Sequence, residues 1–281
     1  MEVKNMGVHV AKGTNLARSL QSAMARHSLS AAQIFTHGPQ SMSKVKYDAN
    51  EVRETIAQTG LRVYVHSTYM TTVWRGMDYD MAHTIAQFEA ADDIGALGVV
   101  VHLPKMEPDK IAFGVNELAK VRRDRGLKAK IILEMKALAP HKTQSYETPK
   151  KIMNLVTEMS AYGISPEEVG ICIDTAHIAA GKAQIRTYEM AKNYLANVDR
   201  QWITLIHLNG NEYDGNVRAG DKHCLALSNA DKVWNSIEYK DSGCHAFVEY
   251  AQENSIDFIM ELHNDKETDA DIQIFKSYLQ Q

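Results

Sequence analysis

Residues 99–102, Val99-Val100-Val101-His102, form a short apolar run that ends on a residue able to bind a metal ion. A run of this length, rich in β-branched residues, is typical of a strand buried in a parallel sheet. Five further apolar runs end in the same way, on His66, Glu134, Asp174, His207 and Glu261. Between successive end residues there is room for one strand and its crossover helix, which together take about 30 or more residues. The pattern predicts repeated βα units.

The six end residues are expected to meet. Parallel strands joined by crossover helices all point the same way, so groups at their carboxyl ends gather on one face of the sheet. Three carboxylates and three imidazoles brought together without a cation would cost several kcal/mol each in desolvation and repulsion. The sequence therefore predicts a metal site at the C-terminal face of the strands.

Two more units precede these six, with strands predicted at 6–10 and 32–35 and helices at 15–27 and 48–59. Later helices follow from apolar stripes, one through Met81, Ile85 and Phe88 and another through Ile152, Leu155, Val156 and Met159. Glycines at the expected helix ends predict C-caps, namely Gly60, Gly95, Gly126 and Gly163. Eight units predict an α/β fold, a (β/α)₈ TIM barrel that occupies residues 1–281 as one domain.

Composition limits the class of protein. The formal net charge is −4 and the pI is near 6.3, which excludes a basic coat over the whole surface. Cys172, Cys224 and Cys244 lie far apart and predict neither a disulfide framework nor a thiolate zinc site. The sequence has no signal-like start and no apolar run near 18 residues, so we expect a soluble intracellular protein that does not enter a membrane.

Three further candidate ligands come from two short motifs, Asp174-x-x-His177 and Asp221-x-His223. Mixtures of imidazole and carboxylate suit zinc, manganese or iron, and catalytic zinc usually takes three protein ligands and keeps one position open. Nine ligands fit three metals better than one. The predicted set is His66, His102, Glu134, Asp174, His177, His207, Asp221, His223 and Glu261.

At these positions the sequence resembles the endonuclease IV family of apurinic/apyrimidinic (AP) DNA repair enzymes, which are TIM barrels with three zinc ions. The resemblance extends over almost the whole chain. Its motifs are AAQIFT at 31–36, HSTY at 66–69, the glutamate of ILE at 134, CIDTAH at 172–177, HLN at 207–209, DKH at 221–223 and the glutamate of MEL at 261.

The resemblance implies a division of the ligands among three Zn²⁺ ions, with Mn²⁺ as an alternative at one site. The first ion would be held by His66, His102 and Glu134, and Glu134 would bridge to the second. The second would also be bound by Asp174, His207 and Glu261, and the third by His177, Asp221 and His223.

The resemblance also implies the reaction. Family members hydrolyse the phosphodiester on the 5′ side of an abasic site in double-stranded DNA, which leaves a 3′-OH and a 5′-deoxyribose phosphate. Glu261 would orient the attacking hydroxide or accept its proton, and Glu134 would be the second catalytic carboxylate. The family is usually monomeric, and we expect the same here.

The predicted DNA contacts follow from the positions of the residues and from two departures from the family pattern. Tyr69 and Met70 occupy the place of the pair that family members insert into the duplex. Many members carry an arginine where this chain has Gln40, and the usual Glu-Asn-Thr is Glu134-Met135-Lys136, which makes Lys136 a candidate phosphate contact. Basic residues in the neighbouring segments add three candidates, Arg75, Arg218 and Lys222.

Two other functions remain open from the sequence. A sugar isomerase or epimerase of the xylose isomerase type shares the barrel and its metal-binding carboxylates, but typically uses one or two metals and fewer histidines. A DNA- or metal-binding protein without turnover could keep the fold, although such a protein has no need of three clustered cations. Metal stoichiometry separates the isomerase from the nuclease.

Overall fold

The structure is a computed structural model, and it describes residues 4–70, 78–136, 145–213, 222–261 and 265–278. Eight of its strands form a closed barrel in the order β1-β10-β7-β6-β5-β4-β3-β2, which confirms the predicted TIM barrel. The strands are Met6–His9 (β1), Ala31–Phe35 (β2), Arg62–His66 (β3), Gly98–His102 (β4), Lys130–Glu134 (β5), Val169–Asp174 (β6), Ile203–His207 (β7), Gly210–Asn211 (β8), His223–Cys224 (β9) and Asp257–Met260 (β10).

Helices follow the barrel strands, as the alternating pattern predicts. Their bounds are Leu16–His27 (α1), Ala49–Thr59 (α2), Asp78–Ile94 (α3), Pro108–Asp124 (α4), Pro149–Ala161 (α5), Thr175–Ala180 (α6), Tyr188–Ala196 (α7), Gly243–Glu253 (α8) and Asp265–Tyr278 (α9). None of these helices, within the parts of the chain that the structure describes, is long and apolar enough to cross a membrane.

The chain divides into two compact units. One comprises Val10–Glu134 and Asn154–Ile171, and in it β2, β3, β4 and β5 pair in parallel. The other comprises Met1–His9, Met135–Met153 and Cys172–Gln281, and in it β10 pairs in parallel with both β1 and β7. Within each unit the strands therefore point the same way, and their end residues lie on one side.

The helix ends agree with the sequence signals. Asn15 and Asp48 are the N-caps of α1 and α2, and each side chain accepts a hydrogen bond from a backbone amide of the first turn. All four predicted C-cap glycines have a positive φ, between 67° and 76°. In that left-handed region a β-carbon is strained, which explains why glycine ends these helices.

The stripes predicted to face the core do so. Ile85 and Phe88 of α3 are buried, whereas Met81 of the same stripe is half-buried. All four residues of the α5 stripe are buried, namely Ile152, Leu155, Val156 and Met159. Cys172 and Cys244 are also buried, and all three cysteines are reduced. Burial raises the pKa of the Cys244 thiol well above its usual value, as expected of a small core residue.

Two local features differ from the sequence-based picture. The single helix expected after β6 is two helices, the short α6 and then α7. After β7 the chain adds a two-stranded antiparallel sheet, β8 and β9, in which Asn211 pairs with His223. Strands of two residues have no periodicity to reveal them, so the sequence gives no sign of this pairing.

Candidate metal centre

Three of the predicted ligands meet in the unit that contains β2 to β5, and we call His66, His102 and Glu134 the His66 cluster. The Nε2 atoms of both histidines lie 3.1 Å from the same atom, Oε2 of Glu134. The two imidazole rings are perpendicular, with centroids 5.0 Å apart. Glu134 is fully buried, whereas the His102 side chain keeps 18% of its surface exposed. The cluster thus opens to solvent beside His102.

Strand register creates this cluster. His66, His102 and Glu134 are the last residues of β3, β4 and β5, and His102 is directly paired with Glu134. His66 Nδ1 lies 2.7 Å from the Ser67 carbonyl oxygen, which fixes the ring and presents Nε2 to the carboxylate. Neighbouring strands in parallel register are therefore enough to bring the three donors together.

Five predicted ligands meet in the other unit, and we call them the Asp174 cluster: Asp174, His177, His207, His223 and Glu261. Nδ1 of His207 lies 3.6 Å from Asp174 Oδ2 and 3.3 Å from Glu261 Oε2. His223 spans the same two carboxylates, with Nε2 3.8 Å from Asp174 and Nδ1 3.4 Å from Glu261. Two imidazoles therefore face two carboxylates across a common space.

The remaining ligand of this cluster, His177, is placed by the start of α6. Asp174 ends β6 and is the N-cap of α6, where its Oδ1 accepts a 2.8 Å hydrogen bond from the His177 amide. The His177 ring lies on the first turn, with Nδ1 2.5 Å from the Met135 carbonyl oxygen and Nε2 3.3 Å from Nε2 of His223. The spacing Asp-x-x-His thus places a helix cap and two candidate ligands together.

The sequence reasoning missed the role of Asn209, a fully buried residue of the HLN motif. Its side-chain amide donates to Asp174 Oδ2 at 2.8 Å and to Glu261 Oε2 at 3.2 Å. Its side-chain oxygen accepts from the backbone amide of Glu261 at 2.9 Å. The motif itself was the available signal, since it lies directly after the strand that ends on His207.

The donor sets fit a metal ion on geometric grounds. Ligand atoms about 2.1 Å from a tetrahedral zinc ion are separated by about 3.4 Å. The imidazole-to-carboxylate separations in the two clusters range from 3.1 to 3.9 Å. In each of three triads the donor atoms lie within 4.8 Å of one another: His66, His102 and Glu134; Asp174, His177 and His223; Asp174, His207 and Glu261. The ninth predicted ligand, Asp221, lies outside the described residues.

The candidate DNA contacts differ in their surroundings. Tyr69 and Met70 are about half exposed, at 48% and 53%. The Tyr69 ring is stacked on His102, with centroids 5.2 Å apart and an interplanar angle of 20°. Gln40 lies in the exposed turn next to Pro39, whose carbonyl oxygen accepts a hydrogen bond from the Tyr69 amide.

Of the basic candidates, Lys136 is exposed just after the Glu134 ligand. Lys222 is exposed too, and its ammonium is hydrogen-bonded to the Glu212 carboxylate, which raises the pKa of the lysine. Arg75 and Arg218 lie outside the described residues. The structure therefore presents Tyr69, Met70, Gln40 and Lys136 as accessible groups, and Lys222 as an accessible group that is paired with Glu212.

Comparison with known proteins agrees with this picture. The "probable AP endonuclease" of African swine fever virus isolate Tick/Malawi/Lil 20-1/1983 is 28% identical over 240 residues, which are 82% of this chain and 78% of the viral protein. The same-named protein of isolate Tick/South Africa/Pretoriuskop Pr4/1996 is 27% identical over the same shares. These relatives confirm the resemblance to AP endonucleases.

Solved structures share the fold. A crystal structure described as AsfvAP:AG has a TM-score of 0.85 at 23% identity and covers 98% of this chain and 99% of its own. Endonuclease IV from Thermus thermophilus has a TM-score of 0.75 at 21% identity, with the same coverage of each chain. The family model described as "Xylose isomerase-like TIM barrel" matches residues 22–234. Because that match spans most of its length, the chain belongs to the xylose isomerase-like TIM barrel family.

Proposed function

We propose that this protein is a metal-dependent AP endonuclease that hydrolyses the phosphodiester 5′ to an abasic site in duplex DNA, leaving a 3′-OH and a 5′-deoxyribose phosphate. The observation that carries the proposal is the gathering of eight predicted ligands into the His66 and Asp174 clusters. The viral relatives named as probable AP endonucleases support the same function.

The proposed cofactor is three zinc ions, with manganese as an alternative at one site. His66, His102 and Glu134 would hold one ion, and Asp174, His207 and Glu261 a second that Glu134 bridges to the first. His177 and His223 would hold the third together with Asp221. The bridging by Glu134 and the role of Asp221 rest on the resemblance to endonuclease IV.

Bound ions of this kind supply Lewis-acid stabilisation of the phosphate charge and activate the attacking water. The carboxylates have distinct tasks. Asp174 and Glu134 are fully buried, whereas the Glu261 side chain keeps 13% of its surface exposed. A carboxylate that reaches solvent beside two imidazoles can orient the attacking water and accept its proton. We therefore assign the proton transfer to Glu261 and charge balance to Glu134.

The proposed substrate contacts are the exposed residues Tyr69, Met70 and Gln40 and four basic residues. Tyr69 and Met70 are proposed to enter the duplex at the abasic site, where the missing base makes extrusion of the nucleotide least costly. Gln40 takes the place of the usual arginine, and Lys136, Arg75, Arg218 and Lys222 are proposed phosphate contacts. We propose further that the enzyme acts as a monomer inside the cell, on double-stranded DNA.

The test is incision of a duplex that carries one tetrahydrofuran abasic analogue, without added magnesium. The wild-type protein should cut on the 5′ side of the analogue and should contain more than two zinc equivalents. The Glu261→Gln variant should be slower by at least about 100-fold, since a positioned acid or base contributes about 10²- to 10⁴-fold.

A matched control is Glu117→Gln, the same chemical change on α4 where the carboxylate forms a surface ion pair with Lys120. This variant should incise like the wild type. Undiminished incision by Glu261→Gln at equal metal content would refute the assignment. One metal per chain in a preparation that isomerises a sugar and leaves the duplex intact would favour the isomerase instead.

A further inference from the structure

We infer that Asn209 is a positioning residue that fixes Asp174 and Glu261 at the separation that a shared metal ion requires. This inference rests on the proposed metal centre and deepens it. The two acids are far apart in the sequence, at the end of β6 and just after β10. The side-chain amide of Asn209 donates a hydrogen bond to each of them.

The hydrogen-bonding capacity of the amide determines its orientation. Both N–H groups of Asn209 Nδ2 point at carboxylate oxygens, and Oδ1 accepts the backbone N–H of Glu261. A flipped amide would direct Oδ1 at two anions and Nδ2 at another donor. The observed orientation is therefore the one that the surroundings allow.

The backbone of Asn209 is held as firmly as its side chain. Its amide donates to Thr175 Oγ1 at 2.9 Å, and that hydroxyl lies 2.7 Å from the Asn209 carbonyl oxygen. Thr175 directly follows Asp174, and it is fully buried. Thr175 thus holds the Asn209 backbone next to the strand end that carries Asp174.

This arrangement predicts a specific chemical role. Each bonded oxygen, Asp174 Oδ2 and Glu261 Oε2, also lies within 3.6 Å of His207 Nδ1. The Asn209 amide occupies one side of each oxygen and leaves another lone pair for the ion. Partners of this kind orient metal ligands, and their loss typically weakens metal affinity or activity by about 10- to 100-fold.

Asn211 offers a matched control two residues further on. It is also a fully buried asparagine, and its side chain bonds to backbone groups, the Ala176 carbonyl and the Tyr213 amide. Asn211→Ala removes the same amide from the same segment and leaves in place the Asn209 side chain that bonds to Asp174 and Glu261. It therefore measures the purely structural cost of the change.

The experiment is competition of the purified full-length chain against a zinc chelator, with metal content measured at each chelator concentration. Asn209→Ala should release one zinc equivalent at about 10- to 100-fold lower chelator concentration than wild type, whereas Asn211→Ala should match wild type. The cobalt-substituted proteins should show a changed visible spectrum for Asn209→Ala alone. Asn209→Ser, which keeps a small polar side chain, serves if Asn209→Ala does not fold.

The outcomes separate the inference from the proposed function. Wild-type metal release and an unchanged cobalt spectrum in the Asn209 variants would overturn the positioning role while leaving the endonuclease proposal standing. Equal effects of the Asn209 and Asn211 changes would overturn it as well. A wild-type protein that binds no metal would instead overturn the proposed function.

Discussion

The two ligand clusters use the same residue types but are supported in different ways. Every member of the His66 cluster ends a strand, and those strands are neighbours with a fixed register. The Asp174 cluster draws ligands from two strand ends, from helix α6, from the two-residue strand β9 and from the residue after β10. Strand pairing alone suffices for the first cluster. The second needs buried polar side chains such as Asn209 to hold elements of different kind together.

The largest expected effect distinguishes the clusters by metal content. Asp174 is a proposed ligand of one ion, and it also caps the helix turn that places His177 at another. Asp174→Asn should therefore weaken the binding of two metal ions, whereas His66→Asn should weaken the binding of one. Asparagine keeps an oxygen that can cap α6, so the fold should survive the first change. Metal analysis after dialysis measures the difference, and both variants should lose incision by about 100-fold or more. Equal metal loss in the two variants would show that the clusters are not distinct.

The second effect concerns stability. Asp231 is fully buried and accepts hydrogen bonds from the amides of Asn211, Leu227, Val233 and Trp234. Asp231→Ala would leave two buried donors, the amides of Asn211 and Trp234, and two part-buried donors without this acceptor, at a cost of about 3 kcal/mol in the free energy of unfolding. Urea denaturation followed by circular dichroism measures this cost.

The comparison is sharpened by Asp48→Ala in the other unit. Asp48 also accepts two backbone amides, but it is an exposed N-cap, so its loss should cost about 1 kcal/mol. If both substitutions lower the free energy of unfolding by the same amount, the burial of Asp231 does not explain how it stabilises its segment. Burial also raises the pKa of Asp231, although the four amides act in the opposite direction.

The smallest effect is a pH dependence near the His66 cluster. Burial, and then the charges of Lys44 and His83, lower the pKa of His37 below its usual 6.5. The folded state therefore favours the neutral ring, so stability is complete above pH 6.5 and declines as the pH falls toward the lower folded value. The urea midpoint should decrease slightly between about pH 7.5 and 5.5, and His37→Gln should reduce that decrease. An identical decrease in the variant would assign the dependence to other groups.

Most strands and helix ends of the barrel can be predicted from the sequence because the signals for them are local. Apolar runs predict the barrel strands, and Gly60 and Gly126 predict helix ends, since each depends on neighbouring residues only. The His66 cluster follows as well, because its ligands end successive parallel strands. The hydrogen bonds of Asn209 to Asp174 and Glu261 cannot be predicted from the sequence, because these residues approach one another only after the chain has folded. The pairing of Asn211 with His223 also depends on residues that are not neighbours in the sequence.

One backbone oxygen has a practical consequence for protein engineering. The Pro39 carbonyl accepts hydrogen bonds from both the Thr68 hydroxyl, at 3.0 Å, and the Tyr69 amide, at 2.9 Å. The turn with Gln40 and the turn with Tyr69 are thus joined at one acceptor. We expect a graft that replaces only one of these turns with the loop of a relative to lose the hydrogen bonds to the Pro39 carbonyl. Exchanging both turns as a single cassette preserves them.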